Sequence, residues 1–559
     1  MPPMVQAWAL PAALLAIAKI AGTWYKLVSS HVPDPYMDEV FHVPQAQRYC
    51  KSDFTWDQKI TTPPGLYIVS LLLKPAIGGC DTSSLRILNV GAICVICLLS
   101  YDILRILRRG TPAAPKEREG NSVGLKTAND DDPTVLLDAH SALNISLLPP
   151  LFFFSGLYYT DVLSTLFVLL SYRAYLKRTS ANNLLGFFVR ITIGVAALLF
   201  RQTNIFWIAV FPAGLAIVDA LKEQGQPVDA RKLDSAQVLT CSWSKGIIHD
   251  PFAFDASVLD YVLFLATTAI AAIQKPIAIL RSVSPYLVLL ALFGGFVVWN
   301  GGVVLGDKSN HVATIHVPQM LYIWPYILFF SFPLALAPVL GLLSRQLPRS
   351  LLKTLSLENF IGGLEICAPG PLSAFLFITI GLIAVHFNTI VHPFTLADNR
   401  HYVFYVFRIL RRHYAIKYGA VPFYYLCSWL AIQTIGAVPR GSGPPKRSSN
   451  SKPTVGVAHR PPCRASFIVV WVITTALSVI SAPLVEPRYF IIPWIIWRLH
   501  VPATPASPSR DPSTGKVSHD LRLVLETLWL LAVNGAAGFT FLNREFAWNN
   551  EPGLQRFLW

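Results

Sequence analysis

The chain has 559 residues, of which 53% are hydrophobic and only 14% charged, with a net charge of +15 and a mean hydropathy of +0.48. A soluble chain carries about a quarter of its residues as Asp, Glu, Lys or Arg, so the deficit excludes an aqueous globular protein and points to lipid as solvent. The excess of base does not point to nucleic acid: Lys and Arg are dispersed in short connections between apolar runs, with no compact basic patch interleaved with aromatics.

Apolar runs near the roughly 20 residues that cross a bilayer as a helix recur through the chain, and they lack the alternation of a transmembrane barrel. The first, 7–28, is too long for a cleaved signal and reads as a retained helix. Spans are expected near 8–28, 87–107, 143–157, 161–177, 184–199, 205–221, 285–302, 314–340, 371–387, within 402–438, and near 466–483, 488–499 and 521–541. Arg105, Arg108, Arg109, Lys116 and Arg118 place the 105–138 connection in the cytosol. The N-terminus is then cytosolic and, with an odd number of crossings, the C-terminus lies on the far side. The segment 65–78, short and interrupted by Pro75, is expected on the far-side surface, and 257–280 can lie along the cytosolic interface. Between 402 and 438 there is apolar length for two helices, but parity allows one crossing. The expectation is one all-α polytopic domain over 1–559, with cytosolic low-complexity insertions near 108–135, 223–250, 440–464 and 501–518.

The eight cysteines form no framework. Cys94 and Cys97 lie in an apolar run, where a redox or metal role does not fit. Cys50 and Cys80 fall on the same side and could pair, with free thiols the expectation.

Polar residues gather on the far side. In chain order they are 36–47 (YMDEVFHVPQAQ), Trp56–Asp57 and 61–65 (TTPPG), then 158–161 (YYTD) and 201–204 (RQTN). Asn300, Asp307, Lys308 and His311 follow, then His392, 397–402 (ADNRHY), 486–489 (EPRY) and 551–553 (EPG). Ionisable residues beside membrane spans are functional candidates by default. The Asp38–Glu39 pair can supply a general base. Arg201, Lys308, Arg400 and Arg488 suit a phosphate, which Arg grips through two parallel hydrogen bonds. Tyr36, Trp56, Tyr158 and Tyr159 offer faces for sugar rings. His42, Gln45, Asp161, Asn300, Asp307, His392, Asp398, Asn399 and His401 complete the candidate substrate contacts. Base, phosphate clamp and aromatic platform together describe displacement of a phosphate from a sugar at a membrane surface. No Walker loop, dinucleotide motif, zinc-type cluster or nucleophile elbow appears in the sequence.

The stretches YMDEVFHVPQAQRYC, WDQKITTPPGLY, RQTNIFW, NGGVVLGDKSNH, HPFTLADNRHYVFY, EPRYFIIPW and EPGLQRFLW resemble the endoplasmic-reticulum alpha-1,2-glucosyltransferases of the dolichol pathway. The resemblance implies a GT-C-type multi-span helical bundle with lumenal loop helices. It implies dolichyl-phosphate-glucose as donor and the diglucosylated dolichyl-diphosphate-linked oligosaccharide as acceptor, with membrane lipid around and no nucleic acid. A beta-linked donor and an alpha-linked product imply inversion. In related lipid-dependent transferases the first acid of such a pair is the base, which implies Asp38 as base and Glu39 as its orienting neighbour. No cofactor is implied, and dependence on a divalent cation is left open. The competing reading is a carrier or flippase for lipid-linked sugars. It would place polar residues near mid-membrane rather than at one surface.

Overall fold

The 29 residues of α1 (Pro3–His31) make a helix of about 44 Å at ~1.5 Å per residue, enough to cross a bilayer. The computed structural model describes residues 3–109, 134–178, 184–223, 234–308, 314–343, 364–391, 393–436, 438–439, 462–482, 484–503, 519–549 and 551–559. Most of the expected insertions, together with His311 and His392, lie outside the described residues. After α1 come α2 (Glu39–Cys50), α3 (Gly65–Ile77), α4 (Thr82–Arg109), α5 (Thr134–Ser146), α6 (Pro149–Phe154), α7 (Thr160–Leu176) and α8 (Leu184–Leu198). A turn at 201–204 leads through a π-helical stretch into α9 (Phe211–Glu223). Then follow α10 (Ser235–Lys245), α11 (Val258–Gln274), α12 (Pro276–Asn300), α13 (Gln319–Phe330), α14 (Phe332–Leu343), α15 (Pro371–Asn388) and α16 (Pro393–Ala397). The last helices are α17 (Tyr402–Leu410), α18 (Tyr414–Gly436), α19 (Ala465–Val479), α20 (Ile491–His500) and α21 (Leu521–Asn543).

Among the described residues six helices are long and apolar enough to cross a membrane, and one sharply bent pair is either a broken seventh span or a re-entrant loop. The protein is an all-α polytopic membrane protein. A short hairpin of β3 (Phe546–Trp548) and β4 (Glu551–Gln555) follows α21, and the two-residue strands β1 (Leu364–Glu365) and β2 (Val438–Pro439) pair elsewhere.

Several expected spans take another form, and proline is the main reason. The run 143–157 is divided at Pro149 and Pro150 into the end of α5 and the short α6. The run 314–340 folds as α13 and α14, bent by 91° just before Pro333. Proline has no amide proton and cannot continue the ladder, so carbonyls are freed, and inside lipid each needs a partner. Asn534 Nδ2 donates to the Leu147 carbonyl at 2.8 Å and Trp529 Nε1 to the Phe329 carbonyl at 2.6 Å. The run 488–499 holds most of the one-turn 3-10 helix Pro487–Phe490 and then the 10-residue α20, the latter about 15 Å long and too short to cross on its own. The surplus at 402–438 resolves into the nine-residue α17 and the 23-residue α18. Part of the expected insertion at 223–250 is the ordered helix α10, whose start is fixed by Gln237 Oε1 accepting from the Asp234 amide at 3.1 Å.

A buried ion pair ties two late helices together. Arg498 on α20 donates to Glu526 on α21 at 2.7 and 2.6 Å, with Asn144 Nδ2 adding a third contact at 2.8 Å. At the opposite end of the bundle Cys50 and Cys80 form a disulfide, against the expectation of free thiols. It bridges the end of α2 to the start of α4.

Candidate active site

After α1 the chain turns through Pro33 and Pro35. Met37 takes a positive φ of 54°, unusual for a residue with a side chain. That reversal brings Asp38 and Glu39 to the start of α2 with their carboxylates on different partners. Glu39 is fully buried. Its Oε1 accepts from Arg86 Nε (2.8 Å) and the Tyr158 amide (2.6 Å), and its Oε2 from Arg86 Nη2 (2.5 Å) and the Tyr36 amide (3.1 Å). With every approach occupied, Glu39 is a joint between α2, α4 and residue 158, out of reach of a substrate proton.

Asp38 differs in every respect. Its side chain is 40% exposed and caps no helix amide. Its Oδ2 accepts from Arg488 Nη1 at 2.8 Å, and its backbone amide donates to Tyr159 Oη at 3.1 Å. Burial of the surroundings disfavours the charged carboxylate, but Arg488, His42 and His401 outweigh it and hold the carboxyl below the usual range. His42 is held below its own usual value by burial, against the pull of Asp38.

Two guanidinium groups converge beside this acid. Arg488 Nε and Nη2 contact Glu486 Oε2 at 2.9 and 2.8 Å, and its plane lies over the rings of Phe154 and Tyr159. Its Nη1 is also 3.9 Å from Asp161 Oδ2, while Arg201 Nη2 holds Asp161 Oδ1 at 2.9 Å. Asp161 is 2% exposed, whereas Arg488 and Arg201 keep 14% and 19% of their side chains accessible. Asp161 lies buried between the two cations, and each keeps part of its side chain accessible near Asp38.

The remaining expected residues fall into other positions. His42 Nδ1 meets Tyr67 Oη at 2.6 Å, and Gln45 is buried, bonding to Thr55 O and the Asp57 amide at 2.9 and 3.2 Å. Tyr158 is fully buried with Oη on Ser70, so its ring has no face for a sugar; Tyr159 is buried beneath Arg488. Trp56 is partly exposed, packed edge-on against Tyr67. The loop after α12 lies on 57–61: the Leu305 amide donates to Thr61 O at 3.2 Å and the Asp307 amide to Gln58 O at 2.8 Å. Gly306, at φ +62°, permits this, since a Cβ there would sit 2.4 Å from Gln58 O. Asn300 binds carbonyls of its own loop, and Lys308, exposed, donates to Asn300 O. Arg400 is engaged by its own chain: Nε and Nη2 by Asp398, Nη1 by Gln555 at 2.7 Å, and its face by Trp548. Asn399 accepts from Trp548 Nε1, and His401 approaches Asp398 Oδ2 at 3.7 Å. Tyr36 clasps the C-terminal segment, its Oη donating to Arg556 O at 2.9 Å and accepting from the Arg556 amide at 2.8 Å.

Comparison with known proteins gives the family. Residues 32–499 match the DIE2/ALG10 family. The chain belongs to that family. It is 40% identical to the Dol-P-Glc:Glc(2)Man(9)GlcNAc(2)-PP-Dol alpha-1,2-glucosyltransferase of Emericella nidulans, over 99% of this chain and 98% of the relative. It is 32% identical to a protein of the same name from Homo sapiens, over 98% of each chain. No solved structure matches.

For a DIE2/ALG10 member the residue most clearly missed from sequence is Arg86. It is the one charged residue between 82 and 101 in an otherwise apolar helix, and an ionisable group at a span's edge marks a buried partner. Among the described residues no group of three or more His, Cys, Asp or Glu is placed to hold a metal ion.

Proposed function

We propose that the protein transfers glucose from dolichyl-phosphate-glucose to the Glc(2)Man(9)GlcNAc(2) glycan on dolichyl diphosphate, forming an alpha-1,2 linkage by inversion in a GT-C-type fold. The observation that carries the mechanism is Asp38: among Asp38, Glu39, Asp161 and Glu486, it alone is substantially exposed, at 40% against 0%, 2% and 14%. In the proposed step Asp38 takes the proton of the acceptor 2-hydroxyl as that oxygen bonds to the anomeric carbon. The bond from that carbon to the phosphate oxygen breaks on the opposite face. Dolichyl phosphate departs with its new charge stabilised by Arg488 and Arg201.

The site belongs on the lumenal face of the endoplasmic reticulum. The Cys50–Cys80 disulfide lies on the same loops as Asp38, and disulfides persist in oxidising compartments. The polar cluster sits at helix ends, which supports transfer chemistry over carriage across the membrane. The test is a transfer assay with purified protein, lipid-linked glucose donor and diglucosylated acceptor, with the linkage of the product determined. A product linked other than alpha-1,2, or no transfer with donor translocation instead, would overturn the reading.

A further inference from the structure

Thr160 and Arg201, at one end of α7 and just beyond one end of α8, belong to the candidate site. The opposite ends of these helices lie about 25 Å away by the length of the 17-residue α7. There, with α9 and the start of α12, they enclose a cavity of about 950 Å³. Its lining carries Arg173, Lys177, Arg178, Arg190, Lys275 and Arg281 against only Asp219 and Glu223. Arg173 and Lys177 share one acid, Asp102, and Arg178 pairs with Asp219. Among the described residues Arg190, Lys275 and Arg281 form no ion pair.

Among the described residues two buried polar groups on this lining lack a partner: Arg190 Nε and the hydroxyl of Tyr286, a residue 2% exposed. Buried polar groups are rarely left unpaired, and doing so costs stability. An arginine nitrogen can only donate, and the phenol has a proton to give, so the group that would satisfy both is rich in acceptors and negatively charged. The cavity also has apolar walls, and Leu184 and Ile277 on its rim are 73% and 72% exposed. An anionic head beside an apolar rim is the chemistry of a membrane lipid.

We propose that this cavity binds the phosphate of an anionic membrane lipid from the leaflet opposite the candidate active site. Arg190 and Tyr286 donate to the phosphate oxygens, Arg281 adds charge, and the acyl chains leave past Leu184 and Ile277.

The test uses full-length protein in nanodiscs of phosphatidylcholine, with or without phosphatidylinositol 4-phosphate, and native mass spectrometry to count retained lipid. The wild type should retain the anionic lipid in preference to phosphatidylcholine. Arg190→Gln with Arg281→Gln should weaken retention roughly tenfold or more, since each cation near an anionic headgroup contributes to binding. Tyr286→Phe keeps the ring and loses the donor, so it tests the site even if the double variant fails to fold; it should weaken retention several-fold. Equal retention in wild type and Tyr286→Phe would overturn the proposal. So would displacement of the lipid by inorganic phosphate at millimolar concentration, which would assign the cavity to a soluble anion.

Discussion

Arg488 Nη1 lies 2.8 Å from Asp38 Oδ2 although 450 residues separate them in the chain. The same arginine joins the acid proposed as base to the clamp proposed for the donor phosphate. A phosphate arriving there competes with Asp38 for Arg488. The acid therefore becomes a better proton acceptor when the donor is in place.

Asp38→Asn should fold, insert and bind donor, yet transfer glucose slower by about 10²–10⁴-fold, the usual share of a general base. Glu39→Gln should fail differently. It weakens the buried partner of Arg86, so the loss should appear as lower thermal stability and yield, with the rate per folded molecule less affected. Near-normal transfer by Asp38→Asn would remove it from the chemistry.

The pH dependence of kcat/KM tests the Arg488 contact. Asp38 is held below the usual carboxylate range, so it is ionised at neutral pH and sets no limb there. Arg488→Gln removes the main opposition to burial, so the Asp38 pKa should rise and the acid limb should move to higher pH. An unmoved limb, at whatever overall rate, would mean that Arg488 does not control the protonation of Asp38.

Arg201→Lys should raise the donor KM more than Arg400→Lys. Arg201 is partly open beside Asp161, whereas the fork of Arg400 is taken by Asp398 and Gln555. A lysine at 201 loses the two-point grip on phosphate. Titration of donor with both variants decides, and the opposite order would move the clamp to Arg400.

Removing the Cys50–Cys80 bridge, which spans a sequence separation of 30, should cost about 2–4 kcal/mol. Cys80→Ser should therefore lower Tm, and reductant should do the same to the wild type. Peptide mapping without reduction should recover the two cysteines linked. Finding both alkylated would contradict the bridge.

Arg498→Met alone should destabilise by about 3–5 kcal/mol by leaving Glu526 buried and unpaired. The double variant Arg498→Met, Glu526→Leu should recover part of that loss. Thermal unfolding of both singles and the double measures the coupling.

The helical, membrane-spanning character was legible because apolar runs announce themselves one at a time. So were Asp38, Asp161, Arg201 and Arg488, whose polarity stands out against those runs. What the sequence hid was who meets whom. Asp38 and Glu39 are adjacent and chemically alike, and only the Met37 turn and the buried Arg86 divide them into an exposed acid and a sealed joint. Arg400 looks like Arg488 in sequence, and each is paired with an acid two residues earlier; they differ in the remaining partner, Gln555 of the C-terminal hairpin for Arg400 and Asp38 for Arg488. Tyr158 and Tyr159 read as a platform until packing buried both. The bend before Pro333 could be suspected from its proline, but the Trp529 contact that satisfies the freed carbonyl comes from 200 residues away.

The clasp between Tyr36 and Arg556, 520 residues apart, has a consequence in time. A ribosome delivers the loop bearing Asp38 early and the segment bearing Arg556, just past β4, only after α21 has been inserted. Until then the first loop lacks this anchor. A chain stalled or clipped before residue 546 can hold its Cys50–Cys80 bridge and its Glu39–Arg86 joint and still be unfinished where glucose is to be moved. The loop that carries the proposed base is thus anchored only by residues made after α21, long after Arg201 and Arg488 have been synthesised.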